Sequence, residues 1–306
     1  MENTNLDLFG QPILDAKRTM SDYFQVPPFS IINTVDGLWQ ARKKRWNILI
    51  NDKGQAREGV LGDVDGLMGK INNGTSILDA CLAEVLLKWF TEPGHTTFDP
   101  FAGDTVFGYV SAFLQRPFTG IELRQEQADF NAEQCIGMPA TYICDSSENM
   151  DAHITNKSMD FVFSCPPYAD LEVYSDNPQD LSTMSHEDFF VMYKKILQNT
   201  FSKLKNNRFA VVVTSEVRNN KGHYIQLVPK TIALMVEAGY IFYNDLILVN
   251  SVGSLPMRAG KSMNAGRKVG RRHQNILVFY KGDPKRIKHN FSELIPKNEY
   301  YESRDL

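Results

Sequence analysis

From about residue 96 onward the chain repeats one pattern: a short apolar run, a turn, then a longer stretch with apolar residues at helical spacing. HTTFDPF, FTGIEL, TYICD, MDFVFS and RFAVVVTSEV read as strands. VFGYVSAFL, RQEQADFNAEQC, HEDFFVMYKKILQNTFSKL and residues 226–238 read as helices. Strands that alternate with helices run parallel, because each helix carries the chain back to the same end of the sheet. The expected fold is therefore α/β, a mostly parallel twisted sheet with helices on both faces. YIFYNDLILVN and NILVFYKG follow, separated by a Gly-rich loop with no helix, so an antiparallel hairpin is expected at one edge.

The 306 residues, 42% hydrophobic, suffice for one large domain with an appendage. No run of about 18 apolar residues is present, so no membrane partner is expected. MENTNLDLFGQP lacks the basic start and apolar core of a secretory signal. Cysteines at 81, 135, 144 and 165 form no CxxC pair, and the histidines are scattered singly. That leaves no metal-site spacing and fits a reducing, cytoplasmic setting. Residues 1–74 read as an irregular N-terminal extension with one helix candidate, VDGLWQARKKRWNILI, carrying Trp39 and Trp46 on one face. The main body is expected over residues 75–284, opening with a helix in TSILDACLAEVLLKWF capped by Thr75 or Ser76. Residues 285–306 remain as a C-terminal tail.

Open parallel sheets bind ligands at the carboxyl ends of their strands. The first such end is FDPFAGDT, with Asp99, Phe101, Gly103 and Thr105; its glycine lets backbone pass close to a guest. Glu122 ends the second strand, where a carboxylate suits ribose hydroxyls, and Asp145 ends the third. The fourth closes with FVFSCPPY. Each proline there fixes φ and removes an N–H, and the residue before each is pushed to extended geometry. The result is a rigid corner of carbonyls and small polar groups, Ser164, Cys165, Pro166 and Pro167, with the flat face of Tyr168 beside it. A planar, amine-bearing ring suits such a corner. GKS at 260–262 is not a Walker loop, because Leu255 stands where that motif needs glycine.

DPFAGDT followed by SCPPY resembles the glycine loop and the Asp/Asn/Ser-Pro-Pro-aromatic tetrapeptide of DNA amino-methyltransferases, the N4-cytosine or N6-adenine type that uses S-adenosylmethionine. RHQNILVFYKGDP resembles their last hairpin, and the whole chain more loosely resembles methylases carried by phages and prophages. The resemblance implies a Rossmann-like methyltransferase fold, S-adenosylmethionine as cofactor and double-stranded DNA as partner. It implies that Asp99, Phe101 and Gly103 line the methionine and sulfonium, that Thr105 also belongs to the cofactor site, and that Glu122 holds the ribose and Asp145 the adenine. The helix led by Thr75 and Ser76 would approach the methionine carboxylate. Two positions depart from the pattern. Thr105 stands where the family has a second glycine, and Cys165 precedes Pro-Pro where the family has Asp, Asn or Ser, with Ser164 one earlier. On this reading the Pro166 carbonyl and a side chain from Ser164 or Cys165 accept the target amine's protons, and Tyr168 stacks on a flipped base.

Residues 251–273 hold Arg258, Lys261, Arg267, Lys268, Arg271 and Arg272 and no acid, which suits phosphate. Arg42, Lys43, Lys44 and Arg45 form a second cluster between two tryptophans that read as core. The acidic loop with Asp170, Glu172, Asp176 and Asp180 reads as solvated, with a lid over the site as the sharper alternative. No recognition domain fits between Asp145 and Phe161. Specificity is therefore expected from the N-terminal segment, the basic loop or a partner; the expected partners besides DNA are a second copy of the chain or a specificity subunit. The rival readings are a pyrimidine carbon methyltransferase with Cys165 as nucleophile, an inactive DNA-binding regulatory module, and an RNA substrate. A zinc deaminase is excluded by the missing H-x-E and P-C-x-x-C pair.

Overall fold

The apolar runs do form strands, β1 (Ile31–Asn33), β2 (Thr97–Asp99), β3 (Phe118–Glu122), β4 (Ala140–Cys144), β5 (Met159–Ser164), β6 (Leu204–Thr214), β7 (Ile241–Val249) and β8 (His273–Lys281). This computed structural model describes residues 20–50, 77–169 and 173–294. They fall into two units. The smaller, Met1–Pro28 with Ser292–Leu306, contains the short helix α1 (Met20–Phe24). The larger, Phe29–Phe291, holds one eight-stranded sheet in the order β1-β7-β8-β6-β5-β2-β3-β4.

Parallel pairing joins β2 to β3, β3 to β4, β2 to β5 and β5 to β6. From β2 the chain steps outward one way to β3 and β4, then returns and steps the other way through β5 and β6. The order therefore reverses between β2 and β5, the place where doubly wound Rossmann-like sheets open a crevice at their carboxyl ends. Right-handed crossovers put α4 (Val106–Phe113) and α5 (Gln125–Gln134) on one face. They put α6 (Met150–His153), α7 (His186–Lys203) and α8 (Leu227–Glu237) on the other. Helix α3 (Ala80–Phe90) packs on α4, and α2 (Gly37–Leu49) packs on α3.

Three features differ from expectation. First, the antiparallel hairpin of β7 and β8 forms as expected, with β8 also paired to β6, but β7 is not the last strand, because β1 pairs with its outer side. Strand β8 is interior: everything from Asn275 to Lys281 is buried, and such a run needs a neighbour on each side. Second, the stretch between β7 and β8 contains a helix, α9 (Leu255–Gly266), where a loop was expected. Pro256 sits in its first turn, where a missing N–H costs nothing, and none of its residues is buried. Third, residues 29–50 belong to the large unit. There β1 extends the sheet beside β7 in parallel register.

Helix α2 is fastened by charge as well as by packing. Trp39 and Trp46 are buried against α3. The buried Glu84 accepts from Arg42 Nε at 2.6 Å and Nη2 at 2.9 Å, from Trp46 Nε1 at 2.8 Å and from Lys88 at 3.0 Å. Asp79 caps α3 by accepting from Cys81 N at 2.9 Å, and also accepts from Trp39 Nε1 at 3.1 Å and Lys43 at 3.0 Å. The cap of α3 is therefore Asp79. Thr75 and Ser76, expected in that role, lie outside the described residues.

Candidate functional site

Strand β2 ends on Asp99, and the turn after it is shaped by its own acids. Asp99 Oδ1 accepts from Phe101 N at 2.8 Å. Asp104 accepts from Val106 N at 2.9 Å through one oxygen and from Leu78 N at 2.8 Å through the other, which ties the turn to the chain before α3. Gly120 of β3 makes room beneath, since a Cβ there would lie 2.5 Å from that of Ala102. Thr105 does not face the cleft. It is fully buried behind the turn, where Oγ1 donates to Asn131 Oδ1 at 2.8 Å, and Asn131 Nδ2 donates to Ala102 O at 3.3 Å.

The acids at the next two strand ends are held differently. Glu122 Oε1 accepts from Arg124 N at 2.9 Å. Asp145 is engaged on both oxygens, by Ser146 N at 2.7 Å, Asn149 Nδ2 at 2.9 Å and His153 Nε2 at 2.6 Å. Hydrogen bonds from His153 and Asn149 hold its carboxyl below the usual range. Asp99 goes the opposite way. Burial pushes its carboxyl well above the ordinary value, and the charges of Asp104 and Glu122 add to that, against the Phe101 N–H.

The proline corner closes β5. Strand alternation sends Ser164 to the Val162 side of the sheet, away from Phe163. Ser164 is 1% exposed, and among the described residues its Oγ has no partner; it is not on the cleft wall. Cys165 is on that wall, half-buried, with Sγ 3.8 Å from the Tyr168 hydroxyl. Pro166 is buried. Tyr168 is half-buried, and its hydroxyl accepts from Gln274 Nε2 of β8 at 2.8 Å. Ala169, next in the chain, is buried at φ 53°, a left-handed conformation that costs a non-glycine residue about 1 kcal/mol. Two prolines before the ring and a strained residue after it fix where the ring stands.

Glycine turn and proline corner border one cleft of about 500 Å³ at the carboxyl ends of β2 and β5. Asp99, Phe101, Gly103, Glu122 and Asp145 line it, as do Cys165, Pro166, Pro167 and Tyr168. Among the described residues the walls carry Asp79, Asp99, Asp104, Glu122, Asp145 and Asp180 against Lys43 and Arg124, so a positively charged guest is favoured. Of the acidic loop, Asp170 and Glu172 lie outside the described residues. Asp180 turns inward, accepting from Ser182 N at 2.8 Å and Ser175 Oγ at 2.7 Å, and it lines the cleft with Tyr174 and Leu181.

The expected phosphate contacts are dispersed. Arg42 is engaged by Glu84, while Lys43 sits on the cleft wall paired with Asp79. Arg258 and Lys261 are exposed on α9, and Arg267 and Lys268 are exposed just beyond it. Arg271 and Arg272 lead into β8. Sequence reasoning missed Asp104, Asp79 and Gln274. Asp104 was within reach, because it adjoins Gly103. Nothing in a linear reading brings Gln274 to Tyr168 across 106 positions.

No family model matches the chain, and no curated protein matches it. Solved structures do. TrmN from Thermus thermophilus shares 16% identity at a TM-score of 0.45, over 67% of this chain and 49% of its own. The chain thus spans about half the length of that protein. A TehB-like SAM-dependent methyltransferase from Corynebacterium glutamicum shares 14% identity at a TM-score of 0.42, over 65% of this chain and 86% of its own. A geranyl diphosphate methyltransferase, in complex with GPP and sinefungin, shares 12% identity at 0.47, over 67% and 78%. The fold assignment rests on the strand order of this chain itself.

Proposed function

We propose that the protein transfers a methyl group from S-adenosylmethionine to the exocyclic amine of a cytosine or adenine flipped out of double-stranded DNA. The observation that carries this reading is the shared cleft. One wall is an acid-lined glycine turn, and the other is a proline corner bearing an aromatic ring. The cofactor supplies an electrophilic sulfonium methyl, and its positive charge matches walls rich in carboxylate. Glu122 and Asp145 stand at successive strand ends, where the ribose and adenine of such a guest would be held.

On the substrate side, little acid–base chemistry is required. An exocyclic amine is a poor nucleophile, because its lone pair is shared with the ring. Acceptors aimed at its protons draw it toward tetrahedral geometry and free the lone pair, so positioning and fixed dipoles carry most of the effect. Of the two expected side chains, Cys165 is the one on the cleft wall, beside the corner prolines. Flipping a base costs a few kcal/mol. Stacking on Tyr168, about 1–3 kcal/mol, offsets part of that.

The test is direct. The protein is expressed with a plasmid in cells lacking other methylases, and the plasmid is digested to nucleosides for mass spectrometry. N4-methyldeoxycytidine or N6-methyldeoxyadenosine is the expected product. Carbon-5-methyldeoxycytidine, abolished by Cys165→Ser, would instead establish the thiolate mechanism. Failure of the purified protein to take up S-adenosylmethionine in calorimetry would leave the inactive regulatory module.

A further inference from the structure

A second concavity, of about 360 Å³, adjoins the cleft. Tyr168, Asn250, Ser251 and Gln274 belong to the walls of both, so Tyr168 is part of the border that the two share. The outer wall carries Arg258, Arg271 and Arg272. These guanidiniums are not equivalent. Arg271 is taken up by the fold, its Nε donating to Ser215 Oγ at 2.8 Å and its Nη2 to Asn275 Oδ1 at 2.5 Å. Arg272 donates from Nε to Asn250 O at 2.9 Å, and its terminal nitrogens have no partner among the described residues. Arg258, exposed on α9, has no side-chain partner among the described residues.

One carboxylate, Glu216, shares that wall. Its Oε1 accepts from Val228 N at 3.1 Å at the start of α8, and its Oε2 is closed off from solvent. The concavity therefore offers a guest guanidinium forks and few accessible acceptors of charge. The N-terminus of α9 contributes little, since Pro256 has no N–H and those of Leu255 and Met257 are already bonded to Val252 O and Ser254 O.

We propose that this concavity is a phosphate subsite. Arg258 and Arg272 hold the backbone phosphate of the nucleotide next to the one whose base lies against Tyr168. The assignment rests on the reading that the first cleft acts on a DNA base. Guanidinium forks match phosphate oxygens two at a time, which sets position as well as charge. A phosphate pinned across that shared border would fix how far the strand can rotate, and so where the extruded base arrives. Lys261, Arg267 and Lys268 lie outside the concavity and belong to no such subsite.

The experiment uses the full chain loaded with sinefungin, titrated with a short mixed-sequence duplex between about 50 and about 200 mM salt. Arg258→Gln and Arg272→Gln are each expected to weaken binding about tenfold and to lower the salt slope by about one, and the double variant by about two. Lys261→Gln should move the slope less. In methyl-transfer assays both arginine variants should raise KM for DNA and leave KM for the cofactor unchanged. An unchanged slope in the double variant, with DNA still bound, overturns the subsite while the methyltransferase reading stands. Sinefungin binding without any DNA binding by the unaltered protein overturns both the subsite and DNA as substrate. A Lys261→Gln loss equal to that of Arg258→Gln reduces the effect to general surface charge and also overturns it.

Discussion

Tyr168 is held by three constraints that can be separated by substitution. Its ring is positioned by Pro166 and Pro167 before it, by Ala169 at positive φ after it, and by Gln274 on its hydroxyl. Tyr168→Ala should cost kcat/KM about 10- to 100-fold, the equivalent of about 1–3 kcal/mol of stacking. Tyr168→Phe and Gln274→Leu both remove the hydrogen bond between them, worth about 1 kcal/mol; the first also removes the Cys165 Sγ contact and the second the bond from Asn250 Nδ2 at 3.4 Å, so the double substitution should cost less than the sum of the two. Additive losses in steady-state kinetics would show that Gln274 acts elsewhere. Asp99 makes a different prediction. Because burial raises its folded-state pKa, ionisation disfavours the fold, and this group's contribution declines as pH rises from about 4 toward the raised value. Asp99→Asn keeps an acceptor for Phe101 N and removes the buried charge. The variant should unfold at a higher temperature without ligand and bind S-adenosylmethionine about tenfold more weakly or worse. Parallel losses in both calorimetric readings would mean that Asp99 is structural.

At the level of elements, the two ends of the sheet have separate duties. The carboxyl ends build the cleft, and the amino end of β5 carries a polar anchor. Asp160, buried there, accepts from Lys205 at 2.8 Å, Arg208 Nε at 2.9 Å and Thr96 N at 3.1 Å. Burial alone would raise its carboxyl, but these hydrogen bonds outweigh it and bring it down to about 2. A depressed acid stabilises the fold above its unfolded value near 4, and that contribution fades as pH falls through about 2. Urea unfolding should show Asp160→Asn losing most of the pH dependence in this window, with a ceiling of about 2 kcal/mol because Lys205 is partly solvated. Activity at pH 7 should survive, since the anchor lies at the opposite end of β5 from the cleft. The elements were also where linear reading worked best. The helices over α4, α5, α7 and α8 carry sustained periodicity and were expected close to where they stand. The short β1 and the Gly-containing α9 were not, because three residues carry no period and Gly260 lowers helix propensity without abolishing it.

At the scale of the molecule, the cleft joins the start of α3, the turns after β2, β3 and β4, and the corner after β5. A ligand that bridges them should couple their unfolding. At about a hundred times its dissociation constant, S-adenosylmethionine should add about 2.7 kcal/mol to stability, read as a rise in Tm that scales with the logarithm of concentration. Hydrogen exchange should slow most in the turn after β2 and the corner after β5. Protection confined to one of them would mean that the two do not share a guest. The alternation of strand and helix, with the order of glycine turn before proline corner, could be read from residues alone. Both are local patterns whose meaning is carried within a window of a few turns. Which cations remain available was decided only by the folded chain, where Arg42 meets Glu84 and Arg271 meets Ser215 while Arg258 has no side-chain partner among the described residues. Gln274 beside Tyr168, and β8 between β6 and β7, were settled in the same way. Charge pairs and central-strand neighbours are chosen among groups far apart in sequence, by burial and geometry, and no local window contains both partners.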